Sequence, residues 1–181
     1  MRAFIGIPFS DDAIDMIDDI KNQIVKHTTK SRTTLKKNYH LTLLFLGEID
    51  LVEQRLIEQE LKFIENISAF NLTINHLGSF DRNHEKIVWL GIEESEPLKK
   101  LQKRIVEKIN NMGYKFPNHF KAHITLSRET VFHESFHLDS IKVEPKNVII
   151  DKVHLYESHR VNNELTYTPI KSYSLRSKVQ I

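Results

Sequence analysis

The sequence predicts a fold that mixes helices with strands in two similar lobes. Two observations carry this expectation. Short apolar runs of strand type alternate with stretches of helical period. The succession strand, helix, strand also occurs twice, and the same tetrapeptide pattern opens the last strand of each copy. Phe4-Ile5-Gly6-Ile7 leads into a helix and later to His40-Leu41-Thr42-Leu43, and Trp89-Leu90-Gly91-Ile92 leads into a helix and later to His123-Ile124-Thr125-Leu126. From glycine to histidine the separations are 34 and 32 residues. A repeat constrains the whole fold, and this one suggests two lobes related by a pseudo-two-fold axis.

Arg2 to Pro8 is short and apolar and reads as a strand. Ile14, Ile17, Ile20 and Ile24 then recur at helical spacing, with Ser10 placed to cap the helix and Asp11 and Asp12 suited to its first turn. Residues 28–38 are polar and basic, a loop or an edge. His40 to Leu46 reads as a strand ended by Gly47. Asp50 to Glu53 has the pattern of a capping box, after which Leu56, Ile57, Leu61 and Ile64 line a helix face. Phe70 to Leu77 is a strand, Gly78 to Glu85 a polar turn, and Lys86 to Ile92 another strand. Leu98, Leu101, Ile105 and Ile109 mark a third helix, with Pro97 near its start and Gly113 beyond its end. Lys121 to Arg128 is strand-like, 129–140 ambiguous, and Val148 to Tyr156 and Tyr167 to Leu175 look like two closing strands. No linker divides the chain, so residues 1–181 are expected to form one two-lobed domain.

Composition narrows the function. With 181 residues, 40% hydrophobic and 28% charged, the chain has the make-up of an ordinary globular domain and can bury a core without staples. It has no cysteine, which excludes disulfides, thiolate nucleophiles, iron–sulfur clusters and cysteine zinc sites. The formal net charge of +2 is too small to argue for non-specific duplex binding, but it leaves room for a local phosphate site. The opening residues have no signal-peptide character, and no apolar run approaches a membrane span. A soluble, cytoplasmic protein without a membrane role is expected.

The ten histidines pose the central question. Residues i and i+2 of a strand share a face. His40 and Thr42 therefore point one way, with Leu41 and Leu43 the other, and the same holds for His123 and Thr125. Facing lobes would bring two imidazoles and two hydroxyls into one cleft. A neutral imidazole can take a proton from water, an imidazolium can give one to a leaving alkoxide, and histidine reaches both states near neutrality. The hydroxyls can donate to phosphate oxygens. His27-Thr28-Thr29 also matches His-x-Thr, but it sits at a helix end and no apolar residue follows.

The pair His40-Leu41-Thr42-Leu43 and His123-Ile124-Thr125-Leu126 resembles the double motif of the two-histidine phosphoesterases, and within them the RNA 2′,3′-cyclic phosphodiesterases, or 2′-5′ RNA ligase-like proteins. The resemblance covers nearly the whole chain. Arg2-Ala3-Phe4-Ile5-Gly6-Ile7, Leu43-Leu44-Phe45-Leu46-Gly47, Ser127-Arg128 and Leu155-Tyr156-Glu157-Ser158 are similar to family segments. One departure is Ala122, where many members carry proline. The resemblance implies an α+β fold, bilobal, with antiparallel sheets around a central cleft and helices outside. It implies a phosphodiesterase that hydrolyses a terminal 2′,3′-cyclic phosphate of RNA to a 2′-phosphomonoester, with 2′-5′ RNA ligation as the reverse. It further implies His40 as proton donor and His123 as proton acceptor, with no metal and no cofactor. The residues alone leave the two roles interchangeable.

Other residues have two readings each. Arg128 suits a phosphate contact, which the resemblance favours, but strict alternation puts it on the face opposite His123, where a salt bridge would hold it. Phe120 and Tyr156 could stack on a base or pack in the core or at the rim. Lys99, Lys100, Lys103, Arg104 and Lys108 form a basic helix face, either solvated or guiding an RNA tail. His133-Glu134-Ser135-Phe136-His137 satisfies the metalloprotease pattern, which needs a stable helix and a third ligand. A loop with exposed histidines is the plainer expectation there. His119 and His123 are poorly spaced on a strand to share a metal. The partners expected are RNA 3′ ends, or alternatively small nucleoside or ADP-ribose cyclic phosphates, and no obligate protein partner. A nucleotide- or RNA-binding module without turnover is the reading from another class.

Overall fold

The computed structural model describes residues 1–177; residues 178–181, the end of the expected domain, lie outside the described residues. In chain order the elements are β1 (Arg2–Ile7), α1 (Asp11–Val25), β2 (Thr28–Thr33), β3 (Leu41–Glu48), α2 (Leu51–Glu60), β4 (Phe70–Arg82), β5 (Glu85–Ile92), α3 (Glu96–Asn110), β6 (His123–Phe132), β7 (Lys146–Ile150), β8 (Lys152–Val161) and β9 (Glu164–Ser174). They build two antiparallel sheets, ordered β3-β1-β8-β9 and β2-β6-β5-β4-β7. Each copy of the sequence repeat supplies a neighbouring pair, β1 beside β3 and β5 beside β6. No helix among the described residues is long and apolar enough to cross a membrane.

The helices attach crosswise. α1 follows β1 of the first sheet but packs on β2 and β6 of the second, whereas α3 follows β5 of the second sheet and packs on β3 of the first. α1 buries Ala13, Ile17, Ile20 and Ile24, and α3 buries Leu98, Leu101, Ile105 and Ile109. These faces join residues of both sheets in one contiguous apolar cluster. Each fully buried isoleucine or leucine contributes about 1.5–3 kcal/mol relative to exposure. The Gln102 amide of α3 donates to the Leu43 carbonyl at 3.3 Å, which ties that helix to the strand carrying the first histidine.

Several boundaries differ from the sequence reading. Ser10 precedes α1, but its hydroxyl donates to the Asp12 carboxylate at 2.5 Å instead of capping a backbone amide. Asp50 does form the expected capping box with Glu53. Leu56 is exposed, because Ile57, Leu61 and Ile64 complete the buried face without it. Residues 28–33 form an edge strand against β6. The polar turn expected over 78–85 shrinks to Asn83 and His84, and β4 runs on to Arg82. Gly78 belongs in the strand because the Trp89 ring lies over it: a Cβ there would stand 2.2 Å from the indole. The closing strand expected over 148–156 breaks at Asp151, with β7 in one sheet and β8 in the other.

Candidate active site

β3 and β6 approach each other where the two sheets meet. Both histidines emerge there into one cleft of about 670 Å³, lined also by Thr42, Thr125, Arg128 and Tyr167. The structure thus brings together both histidine–threonine pairs and Arg128. Phe120 packs against the apolar core and Tyr156 is buried against Phe4, and neither lines the cleft.

The two imidazoles are held in the same way. The Nδ1–H of His40 donates to the Asn38 carbonyl at 2.7 Å, and that of His123 to the Lys121 carbonyl at 2.7 Å. A carbonyl can only accept, so each ring keeps its proton on Nδ1 and presents Nε2 to the cleft. Nε2 of His40 lies 2.9 Å from the Thr42 hydroxyl. Asn38 is itself buried, and its side-chain amide donates to the Leu165 carbonyl at 2.8 Å. The carbonyl that fixes His40 is thereby anchored to β9.

The surroundings of the two rings differ. Phe4 lies 4.7 Å from the His40 ring, Tyr167 meets it edge-on at 5.0 Å, and Tyr156 stacks behind Phe4. Burial in this apolar cage lowers the His40 pKa to about 4, and the charges of His123 and Arg128 push in the same direction. His123 meets Phe80 edge-on at 5.2 Å and faces Trp89, and the Lys121 ammonium sits over both of those aromatic rings. Burial, Arg128 and Lys121 lower the His123 pKa as well. Both rings are therefore neutral at pH 7 in the free protein. An anion seated between them would favour the protonated form of either.

Arg128 reaches the cleft because strict alternation fails. β5 pairs Val88 with Ser127 but Trp89 with Thr125, so Leu126 is an extra residue. Leu126 and Ser127 are both buried, and this β-bulge shifts the phase so that Arg128 follows on the cleft side. Glu129 adopts φ 51° and the Ser127 hydroxyl pairs with that of Thr130 at 2.7 Å, which holds the irregularity. The first lobe does the same. β1 pairs Ile5 with Leu44 and Gly6 with Thr42, so Leu43 is extra and Phe45 turns to the cleft. In each lobe the fifth residue after the histidine is thus delivered to the site, an arginine in one and a phenylalanine in the other.

Sequence reasoning missed most of the charge. Arg2, Arg32, Arg82 and Arg160 join Arg128 along the cleft, and no carboxylate lines it among the described residues. The near-neutral whole conceals a strongly positive groove. The basic helix face of α3 lies elsewhere and is largely paired: Lys99 with Glu94, Lys103 with Glu107, Lys108 with Glu60. The 133–137 segment forms no helix, and His133 and His137 are exposed. His27 stacks on Phe136 at 4.3 Å. Among the described residues no three histidine or acidic side chains cluster as a metal site.

Comparison with known proteins agrees with this geometry. A family model described as the 2′-5′ RNA ligase superfamily matches residues 9–162. An RNA 2′,3′-cyclic phosphodiesterase of Thermotoga maritima is 27% identical over 164 residues, 87% of each chain. One from Escherichia coli K12 is 25% identical over 175 residues, covering 90% of this chain and 94% of that one. Among solved structures, E. coli LigT complexed with 3′-AMP superposes with a TM-score of 0.78 at 25% identity, covering 96% of this chain and 97% of that one.

Proposed function

The chain belongs to the 2′-5′ RNA ligase superfamily, and from that premise we propose that it hydrolyses the 2′,3′-cyclic phosphate at an RNA 3′ end to a 2′-phosphomonoester. The observation that carries the reading is the convergence of two identically oriented imidazoles, each with a threonine, in a groove lined by arginines and, among the described residues, free of carboxylates. In this reading the cyclic phosphate lies between the two Nε2 atoms. His123 takes a proton from the attacking water, the water oxygen bonds to phosphorus, and the bond from phosphorus to O3′ breaks. His40, protonated in the complex by the pull of the anion, gives its proton to O3′. A water and a cyclic diester thus yield a 3′-hydroxyl and a 2′-phosphate. Thr42, Thr125 and Arg128 hold the non-bridging oxygens, where charge develops. With a 5′-hydroxyl as nucleophile, the same pair joins two RNA ends by a 2′-5′ linkage.

The names of the relatives support the reaction class, and the 3′-AMP complex supports a nucleotide in the cleft. The test is a short RNA ending in a 2′,3′-cyclic phosphate, incubated in excess EDTA, with the products separated. Clean 2′-phosphate is expected. A 3′-phosphate product would reverse the orientation of attack, and activity only after zinc is restored would refute the two-histidine chemistry.

A further inference from the structure

A second cavity of about 540 Å³ opens beside the cleft, at the β4–β5 hairpin. Arg32, Arg82 and Arg128 wall both cavities, and His84 and Lys86 line only the second. The three arginines belong to separate elements, β2, β4 and β6. β2 and β6 set Arg32 opposite Arg128. The turn at Asn83, with φ 60°, places Arg82 at the hairpin tip.

The local charges do not balance. Arg32 pairs with Glu129 at 2.9 Å, and Glu85 is taken by Lys30. Among the described residues Arg82 and Arg128 have no carboxylate partner, and Arg128 feels the charges of both other arginines. Two uncompensated guanidinium groups thus stand at the boundary between the reacting site and an open cavity. Among the described residues the second cavity has no phenylalanine, tyrosine or tryptophan; its one ring is the His84 imidazole, and its carboxylates are those of Glu85 and Glu129. It offers guanidinium planes and Ile87, surfaces on which any base can rest without its edge being read.

Resting on the function proposed above, we infer that Arg82, beside Arg128, forms a subsite for the phosphodiester on the 5′ side of the terminal nucleoside, and that the second cavity receives the penultimate nucleotide. The enzyme then prefers an RNA chain end to a mononucleoside cyclic phosphate, with little regard for base identity.

The experiment compares adenosine 2′,3′-cyclic phosphate, the same compound carrying a 5′-phosphate, and a trinucleotide ending in the cyclic phosphate, with the intact protein and its R82Q and K86Q variants. Wild type is expected to favour the trinucleotide over the mononucleoside by about tenfold or more in kcat/KM, the order of one charge-assisted contact. R82Q should bring that ratio towards one. It should also flatten the salt dependence of KM for the trinucleotide by a slope of about 0.7, the value for one phosphate contact on a single strand. A gain already complete with the 5′-phosphorylated mononucleoside would leave the phosphate subsite and remove the nucleotide from the second cavity, as would a K86Q ratio equal to wild type. Equal losses on all substrates in R82Q, or no preference in wild type, overturn the subsite. If wild type turns over none of them, the function proposed above fails, and anisotropy with a labelled RNA ending in a 2′-phosphate decides the subsite by itself: weaker binding in R82Q sustains it, and equal binding removes it.

Discussion

Acidifying the free protein from pH 7.5 to pH 5 should destabilise it through His40, and the amount follows from its burial. The folded ring has a pKa of about 4 against the ordinary 6.5. Below pH 6.5 the unfolded chain takes up a proton that the folded chain refuses. The unfolded state binds more protons in this window, so stability falls as pH falls, at up to 1.36 kcal/mol per pH unit, and levels off below about pH 4. At pH 5 the loss comes to about 2 kcal/mol. His40→Asn removes the titrating ring, and the carboxylates that also respond to acid are common to both proteins. Urea melts followed by Trp89, the single tryptophan and a buried one, give both stabilities at each pH. Between the two pH values the wild type should lose about 2 kcal/mol more than the variant. A difference between the proteins that stays level would show that water reaches the ring freely and that the aromatic cage does not keep it neutral.

The same shifts place the rate optimum. The productive pair carries one proton, and both histidines of the free protein are lowered, so kcat/KM on a cyclic phosphate should peak on the acid side of pH 6.5; a peak above pH 7.5 in a full pH profile would contradict this. His40→Ala and His123→Ala should each lower kcat by about 10²–10⁴-fold with unfolding curves close to wild type at pH 7.5. Arg128→Gln should cost about 1.5–3 kcal/mol of transition-state binding, read as kcat/KM, and lysine should restore it only in part because the fork is lost. Gly78→Ala should destabilise by about 1–3 kcal/mol in urea melts and shift Trp89 fluorescence, since the indole must move off the strand.

The two catalytic candidates were legible because chemistry and periodicity agreed on them. His-x-Thr on an apolar strand puts the polar atoms on one face whatever the rest of the fold does, and the repeat implied that the two strands meet. Arg128 was legible only through the family resemblance, since strict alternation gave the wrong face. A bulge leaves no sure mark in a single sequence, although it falls at the consecutive buried pairs Leu43-Leu44 and Leu126-Ser127. The other arginines of the groove lie far apart in sequence, and the topology alone gathers them. The turn expected over 78–85 failed because Gly78, Ser79 and Asp81 have turn-forming character, whereas the partner strand supplies a ring that only a glycine can lie beneath. The break at Asp151 was hidden because apolar runs on either side of it look like one strand.

The crosswise build also bears on how the molecule reaches its native state. The chain starts in one sheet, crosses to the other for β2, returns for β3, crosses again for β4 to β7, and comes back for β8 and β9. The first sheet is not complete until the last hairpin has docked on β1, some 150 residues after that strand is made, and the second waits for β7. Such non-local closure makes for slow folding, and it leaves neither lobe able to survive as a fragment. Once closed, the sheets are joined by four chain crossings and by one continuous apolar core. The distance between the two imidazoles is then a property of the whole topology, and the loss of any one crossing would release it.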